Sequence, residues 1–156
     1  MTTKEYLGQI RKLSLMVEAK LDERYRLMSL ACRITVPTDG DRVKSTPDPD
    51  KMANAVEKII KCEKEIDVLV ENLLDKRKEI ISQIDNLENP SAYGILTYRY
   101  VQFLSDKEIA DKMDIAISAV YKIQKAALME FEKKYGSIYL KKSDVMEKDR
   151  HKYSNL

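Results

Sequence analysis

The amino-acid sequence predicts an all-α protein: a long antiparallel helical hairpin of coiled-coil type, followed by a small three-helix domain of helix-turn-helix form. Three observations carry that expectation. Only four Gly and four Pro occur in 156 residues, too little turn chemistry for an all-β chain. Residues 49–88 hold an apolar phase over about five heptads. Residues 95–128 contain three short amphipathic segments separated by breaks of a few residues, which reads as two helices on a tight turn with a third packed behind.

The expected domains are a hairpin and oligomerisation domain over 1–88 with a loop at 35–50, a helix-turn-helix domain over 89–136, and a polar tail over 137–156. From Thr3 to Ile34 the residues Tyr6, Ile10, Leu13, Val17, Leu27, Ala31 and Ile34 recur at helical spacing. Lys20 and Arg24 occupy the seam positions between Val17 and Leu27, while Leu7, Leu21 and Met28 widen the stripe. No Pro interrupts the run, so one helix of roughly 45–50 Å is expected at ~1.5 Å per residue. Residues 35–50, TVPTDGDRVKSTPDPD, cannot continue it, because Pro removes a donor and blocks the preceding turn. Asp48 or Asp50 is a natural cap for the next helix.

That helix is expected from Pro49 to about Glu88. Its d-type row is Met52, Ile59, Ile66, Leu73, Ile80 and Leu87, and its a-type row is Val56, Glu63, Val70, Arg77 and Ile84. Folding the first helix back against it would bring Lys20 and Arg24 near Glu63, where opposite charges fix register. Ile60, Leu74 and Ile81 form a further row, too broad for a two-stranded seam, and this width predicts a homodimer.

Asn89-Pro90 supplies an N-cap and an N1 proline, so a new helix should run from Pro90 to Phe103. Its apolar residues are Ile95, Leu96, Tyr98, Val101 and Phe103. Arg99 and Tyr100 are candidates for outward polar contacts, although Tyr is more commonly core. Ser105 with Glu108 is a capping box opening the second short helix, which carries Ile109, Ala110 and Met113. After a break at Asp114-Ile115-Ala116, the third helix places Val120, Ile123, Ala127 and Phe131 on one side, at about 100° per residue. Gly136 should end it, leaving a polar tail in which His151 has no catalytic companions.

The opposite side of the third helix carries Ser118, Tyr121, Lys122 and Lys125. No Asp or Glu lies between Ile115 and Met129, although the chain has 26 of them. On a lone helix this face would as readily be ordinary solvated surface as a binding face. As the second helix of a tight pair, it is the face that enters a major groove.

The run from Leu96 to Lys122, L-x-Y-R-Y-x-x-x-L-S-x-x-E-I-A-x-x-x-x-I-x-x-S-x-V-Y-K, resembles region four of bacterial sigma factors, which reads the promoter's −35 element. The whole chain is similar to phage-encoded late-gene transcription regulators of the ArpU and RinA type and to related uncharacterised phage proteins. The resemblance implies that Ser118, Tyr121, Lys122 and Lys125 face bases and phosphates, that Ser105 and Lys107 touch the DNA backbone, and that RNA polymerase is a further partner. Asp114 stands where the family pattern has Gly, and Ala116 where it has a capping Ser or Thr.

Charge is divided unevenly. Residues 1–90 have 16 basic and 17 acidic groups, net −1, and residues 91–156 have 12 and 9, net +3. This small excess implies that DNA affinity needs two copies or a protein partner. Cys32, Cys62 and His151 have no metal-ligand spacing, and no glycine-rich loop or Ser-His-Asp set exists. The expectation is therefore a non-enzyme without metal, cofactor or small-molecule substrate. No signal-peptide core or ~20-residue apolar run is present, so a non-membrane protein acting on double-stranded DNA in the bacterial host cytoplasm is expected. The leading reading is a sequence-specific transcription regulator of phage type, and the resemblance implies an activator of late genes acting through a promoter-proximal site. A small terminase-like DNA-recognition subunit and a coiled-coil structural adaptor stand as alternatives.

Overall fold

The computed structural model describes residues 1–35 and 48–153, with side chains to residue 34 and from 48 to 140. It is helical, without strands among the described residues. The elements are α1 (Thr3–Leu7), α2 (Gln9–Thr35), α3 (Pro49–Asp85), α4 (Pro90–Leu96), a π-helical turn (Thr97–Val101), α5 (Asp106–Met113) and α6 (Ile117–Tyr153). Most of the expected loop, residues 36–47, lies outside the described residues, as do the side chains of 141–156, His151 among them. Two compact units are present, one comprising Met1–Lys12 with Asp75–Leu156 and the other Leu13–Leu74.

In the unit of residues 13–74, the seam positions of α2, Leu13, Val17, Lys20, Arg24, Leu27, Ala31 and Ile34, are all half-buried, as are Ser14, Glu23 and Ser29. Arg24 Nε meets Glu63 Oε1 at 3.0 Å, and Lys20 Nζ meets Glu65 Oε2 at 2.5 Å. The Cys62 thiol donates to the Lys20 carbonyl at 3.7 Å. The hydrogen bonds that Lys20 donates to Glu23 and then Glu65 raise its pKa. Asp48 caps α3, its Oδ1 accepting from the Asp50 N–H at 3.0 Å. Among the described residues of this unit, Cys62 and Ile66 are the only buried apolar side chains.

The second unit is better filled. Leu7, Ile10, Ile80, Ile84, Ile95, Leu96, Ile109, Val120 and Phe131 are all within 1% of full burial. The N-terminal helix expected to be continuous is interrupted at Gly8, where a Cβ would approach the Lys4 carbonyl oxygen to 3.0 Å. The preceding α1 is opened by a capping box, with Thr2 N–H donating to Glu5 at 2.7 Å. It packs on α6: the Tyr6 and Tyr139 rings stack at 4.5 Å, and Thr3 Oγ1 lies 2.8 Å from the Tyr139 hydroxyl. Tyr6 donates to Glu79 at 2.8 Å, and burial, reinforced by that carboxylate, pushes its pKa up to about 12.

Gly136 does not end the last helix. α6 continues to Tyr153, about 55 Å at the usual rise. The physical reason lies three residues on, where Tyr139 is only 1% exposed. Burying that ring against Tyr6 outweighs the ~1 kcal/mol that glycine costs inside a helix. Tyr139, placed in the tail by the sequence pattern, is thus core, while Ser137, Ile138 and Leu140 beside it are exposed.

The helix expected from Pro90 to Phe103 is also shorter. Asn89 caps α4, accepting from the Ser91 N–H at 2.9 Å, with Pro90 in the first turn. After Leu96 the backbone widens to five-residue spacing, with Gln102 N–H donating to Thr97 at 3.0 Å. Phe103 then turns left-handed, at φ 59°, a conformation costing an L-residue roughly 1–2 kcal/mol. The Arg11 guanidinium lies over the Phe103 ring, 5.9 Å from its centroid. That contact holds the ring where a glycine would offer none.

Candidate functional site

The site is built on α5, the three-residue turn Asp114-Ile115-Ala116, and the start of α6. Ser105 caps α5 reciprocally with Glu108: Glu108 N–H donates to Ser105 Oγ at 3.3 Å, and Ser105 N–H returns to Glu108 Oε2 at 2.7 Å. The Ser105 N–H holds the Glu108 carboxyl below its ordinary pKa. Asp114 ends α5 at φ 53° and ψ 50°, the left-handed conformation that glycine adopts most readily. Its N–H and that of Ile115 satisfy the last carbonyls, Ile115 donating to Ala110 at 3.0 Å. Asp tolerates this conformation better than most residues, so the turn forms without glycine.

Beyond the turn, α6 separates its two faces. Val120 and Phe131 are 0% exposed and Ala127 1%. Ser118, Tyr121, Lys122 and Lys125 are exposed, Tyr121 at 57%. Lys107 on α5 is exposed as well, whereas Ser105 directs both its N–H and its hydroxyl at Glu108. A phosphate at Ser105 would therefore have to displace a carboxylate.

Sequence reasoning missed an ionic cluster beside this face. Arg99, from the π-helical turn, pairs with Asp106, the first residue of α5. The other Asp106 oxygen, Oδ2, accepts from the Tyr121 hydroxyl at 2.8 Å. Arg99, then Tyr121, lowers the Asp106 pKa, and Asp106 in turn raises that of Tyr121. Arg99 Nε is shut from solvent and has no hydrogen-bond partner among the described residues. An acid thus adjoins the stripe that is acid-free along its own helix, and it arrives already neutralised by Arg99. Spacing rules for one helix do not reach this cluster, because its members come from three elements.

Two apolar groups also extend the exposed face: Ile117 at 47% and Met129 at 65% exposure. Gln124 donates to Tyr100 at 3.4 Å, and burial raises the Tyr100 pKa, so Tyr100 belongs to the packing rather than to the outward face. No group of three or more His, Cys, Asp or Glu among the described residues is placed to hold a metal ion. No described helix is long and apolar enough to cross a membrane.

Fold and surface first define a class: an all-helical protein with a cationic helix face presented beside a tight interhelical turn. Within it, residues 45–132, more than half of the chain, match the family DUF1492, described as a protein of unknown function. The chain belongs to that family. No curated protein and no solved structure matches it.

Proposed function

We propose that this protein is a sequence-specific, double-stranded DNA-binding transcription regulator of phage type, with α5 and α6 acting as its helix-turn-helix. The observation that carries the reading is the exposed stripe Ser118, Tyr121, Lys122 and Lys125 opposite the buried Val120, Ala127 and Phe131. A helix so divided can insert one face into a major groove while the other stays in its own core. The resemblance of residues 96–122 to sigma region four extends the proposal to RNA polymerase contact and to activation of late genes from a promoter-proximal site in the host cytoplasm.

We further propose that α2 and α3 form an antiparallel hairpin that dimerises. Lys20–Glu65 and Arg24–Glu63 support the antiparallel sense, since numbers rise along one helix as they fall along the other. Large apolar side chains left exposed on this unit, including Leu21, Tyr25, Met28, Val56, Ile60 and Leu74, support a second copy. Light scattering tests this part: a dimer is expected, a monomer refutes it, and a ring of many copies favours a packaging subunit. Fluorescence anisotropy with genomic duplex fragments tests the main reading. Specific, salt-sensitive binding is expected, and its absence at low salt overturns the assignment in favour of a structural adaptor.

A further inference from the structure

We propose that Asp106 sets the hydrogen-bond polarity of Tyr121, so that Tyr121 reads the amino group of an adenine or cytosine in the major groove. The inference deepens the DNA-binding reading and rests on it. It begins with the single proton of a phenol. Tyr121 donates that proton to Asp106 Oδ2 at 2.8 Å. An ionised carboxylate can only accept, and the Arg99 guanidinium on the same group keeps it ionised.

With its proton committed, the exposed Tyr121 oxygen offers only lone pairs outward. On the contacted strand, the donors in a major groove are the N6 amino group of adenine and the N4 amino group of cytosine. Guanine O6 and thymine O4 are acceptors there, and would face another acceptor. The cluster thus selects two bases of four at one position. Arg99 balances the Asp106 charge, so the acid can stand beside a groove-facing helix without repelling phosphates as an isolated carboxylate would.

A purely structural account is that Arg99, Asp106 and Tyr121 tie α5 to α6. That account predicts changes in stability and in overall affinity, with the ranking of bases untouched. Selection from randomised duplexes with the full chain separates the two. The wild type should enrich a site with one position restricted to A or C on one strand. Tyr121→Phe keeps the exposed ring and removes the oxygen, and should relax that position by roughly two- to tenfold. Asp106→Asn presents an amide that can donate to the phenol oxygen, freeing its proton, and should shift the same position towards G or T.

If the wild type enriches a site but no position responds to Tyr121→Phe, or the responding position favours G or T, the inference is wrong while DNA binding stands. An unchanged ranking with folded Asp106→Asn likewise overturns it. Melting curves establish folding, and if Asp106→Asn does not fold, the Tyr121→Phe comparison decides alone. If the wild type enriches no sequence, the DNA-binding reading fails and the inference falls with it.

Discussion

Lys122 and Lys125 stand one turn apart on the exposed side of α6, and replacing both by Ala tests the interface most directly. Neither residue fills the core, so the double variant should melt within about 0.5 kcal/mol of wild type. Each lysine that neutralises a phosphate contributes about 0.9 to the slope of log affinity against log salt. Losing both should flatten that slope by about 1.8. Over a fourfold rise in salt, from 50 to 200 mM for instance, the variant should lose roughly twelvefold less affinity than wild type. Its affinity at low salt should be lower throughout. Anisotropy titrations at four or five salt concentrations give the slope. Lys58→Ala with Lys61→Ala removes the same charge from exposed positions on α3 and should leave the slope near that of wild type. If the α6 pair keeps both affinity and slope, or if the α3 control loses as much, the stripe is not the phosphate-binding surface.

Other outcomes follow from the packing. Tyr139→Ala should cost about 3 kcal/mol or more in urea denaturation, because the ring is buried against Tyr6 and Phe131; a cost under 1 kcal/mol would return it to the tail. Asp114→Gly should raise stability by about 0.5–1 kcal/mol by relieving the left-handed backbone, and a lower melting midpoint would show that the Asp side chain outweighs that relief. Asp106 and Glu108 have depressed pKa values in the fold, so their stabilisation is present above the unfolded values and is lost as pH falls through the folded ones. Stability should therefore decline on acidification below about pH 4.5, with a shallower decline in Asp106→Asn; equal limbs would remove Asp106 from that account. A fragment of residues 89–136 should give a weak, non-cooperative melt by circular dichroism, since it lacks the buried Leu7, Ile10, Ile80, Ile84 and Tyr139; a cooperative melt would show that its own helices suffice.

What was legible in the sequence was local. The Asn89 and Ser105 caps, the left-handed Asp114 and the two faces of α6 follow from interactions spanning four residues or fewer. The seam cations Lys20 and Arg24 were legible because they occupy positions that an apolar period reserves. What escaped depends on residues far apart in the chain. Gly136 reads as a helix stop until Tyr6, 133 residues before Tyr139, supplies a ring for Tyr139 to stack on. The Arg99–Asp106–Tyr121 cluster needed the π-helical turn and the left-handed Phe103, and neither has a sequence signature comparable with glycine.

The two units differ in how they divide apolar and polar surface, and the difference supports the proposed division of roles. The unit containing α4–α6 encloses Ile95, Leu96, Ile109, Val120, Phe131 and Tyr139, while its exposed surface mixes lysines and hydroxyls with Ile117, Tyr121 and Met129, the Asp106 charge being balanced by Arg99. On the proposed reading, a polyanion meeting the exposed lysines of that surface releases counterions. In the unit of residues 13–74 the balance is reversed: ten large apolar side chains are 43% exposed or more, against two buried among the described residues. At about 2 kcal/mol for fully burying each, their exposed halves amount to on the order of 10 kcal/mol. That is comparable with the 4–15 kcal/mol cost of bringing two chains together, which supports the proposed apolar partner for this unit. If the proposed dimer and DNA contacts form, two copies would also place two weakly cationic units on one duplex, raising their effective concentration without any additional lysine.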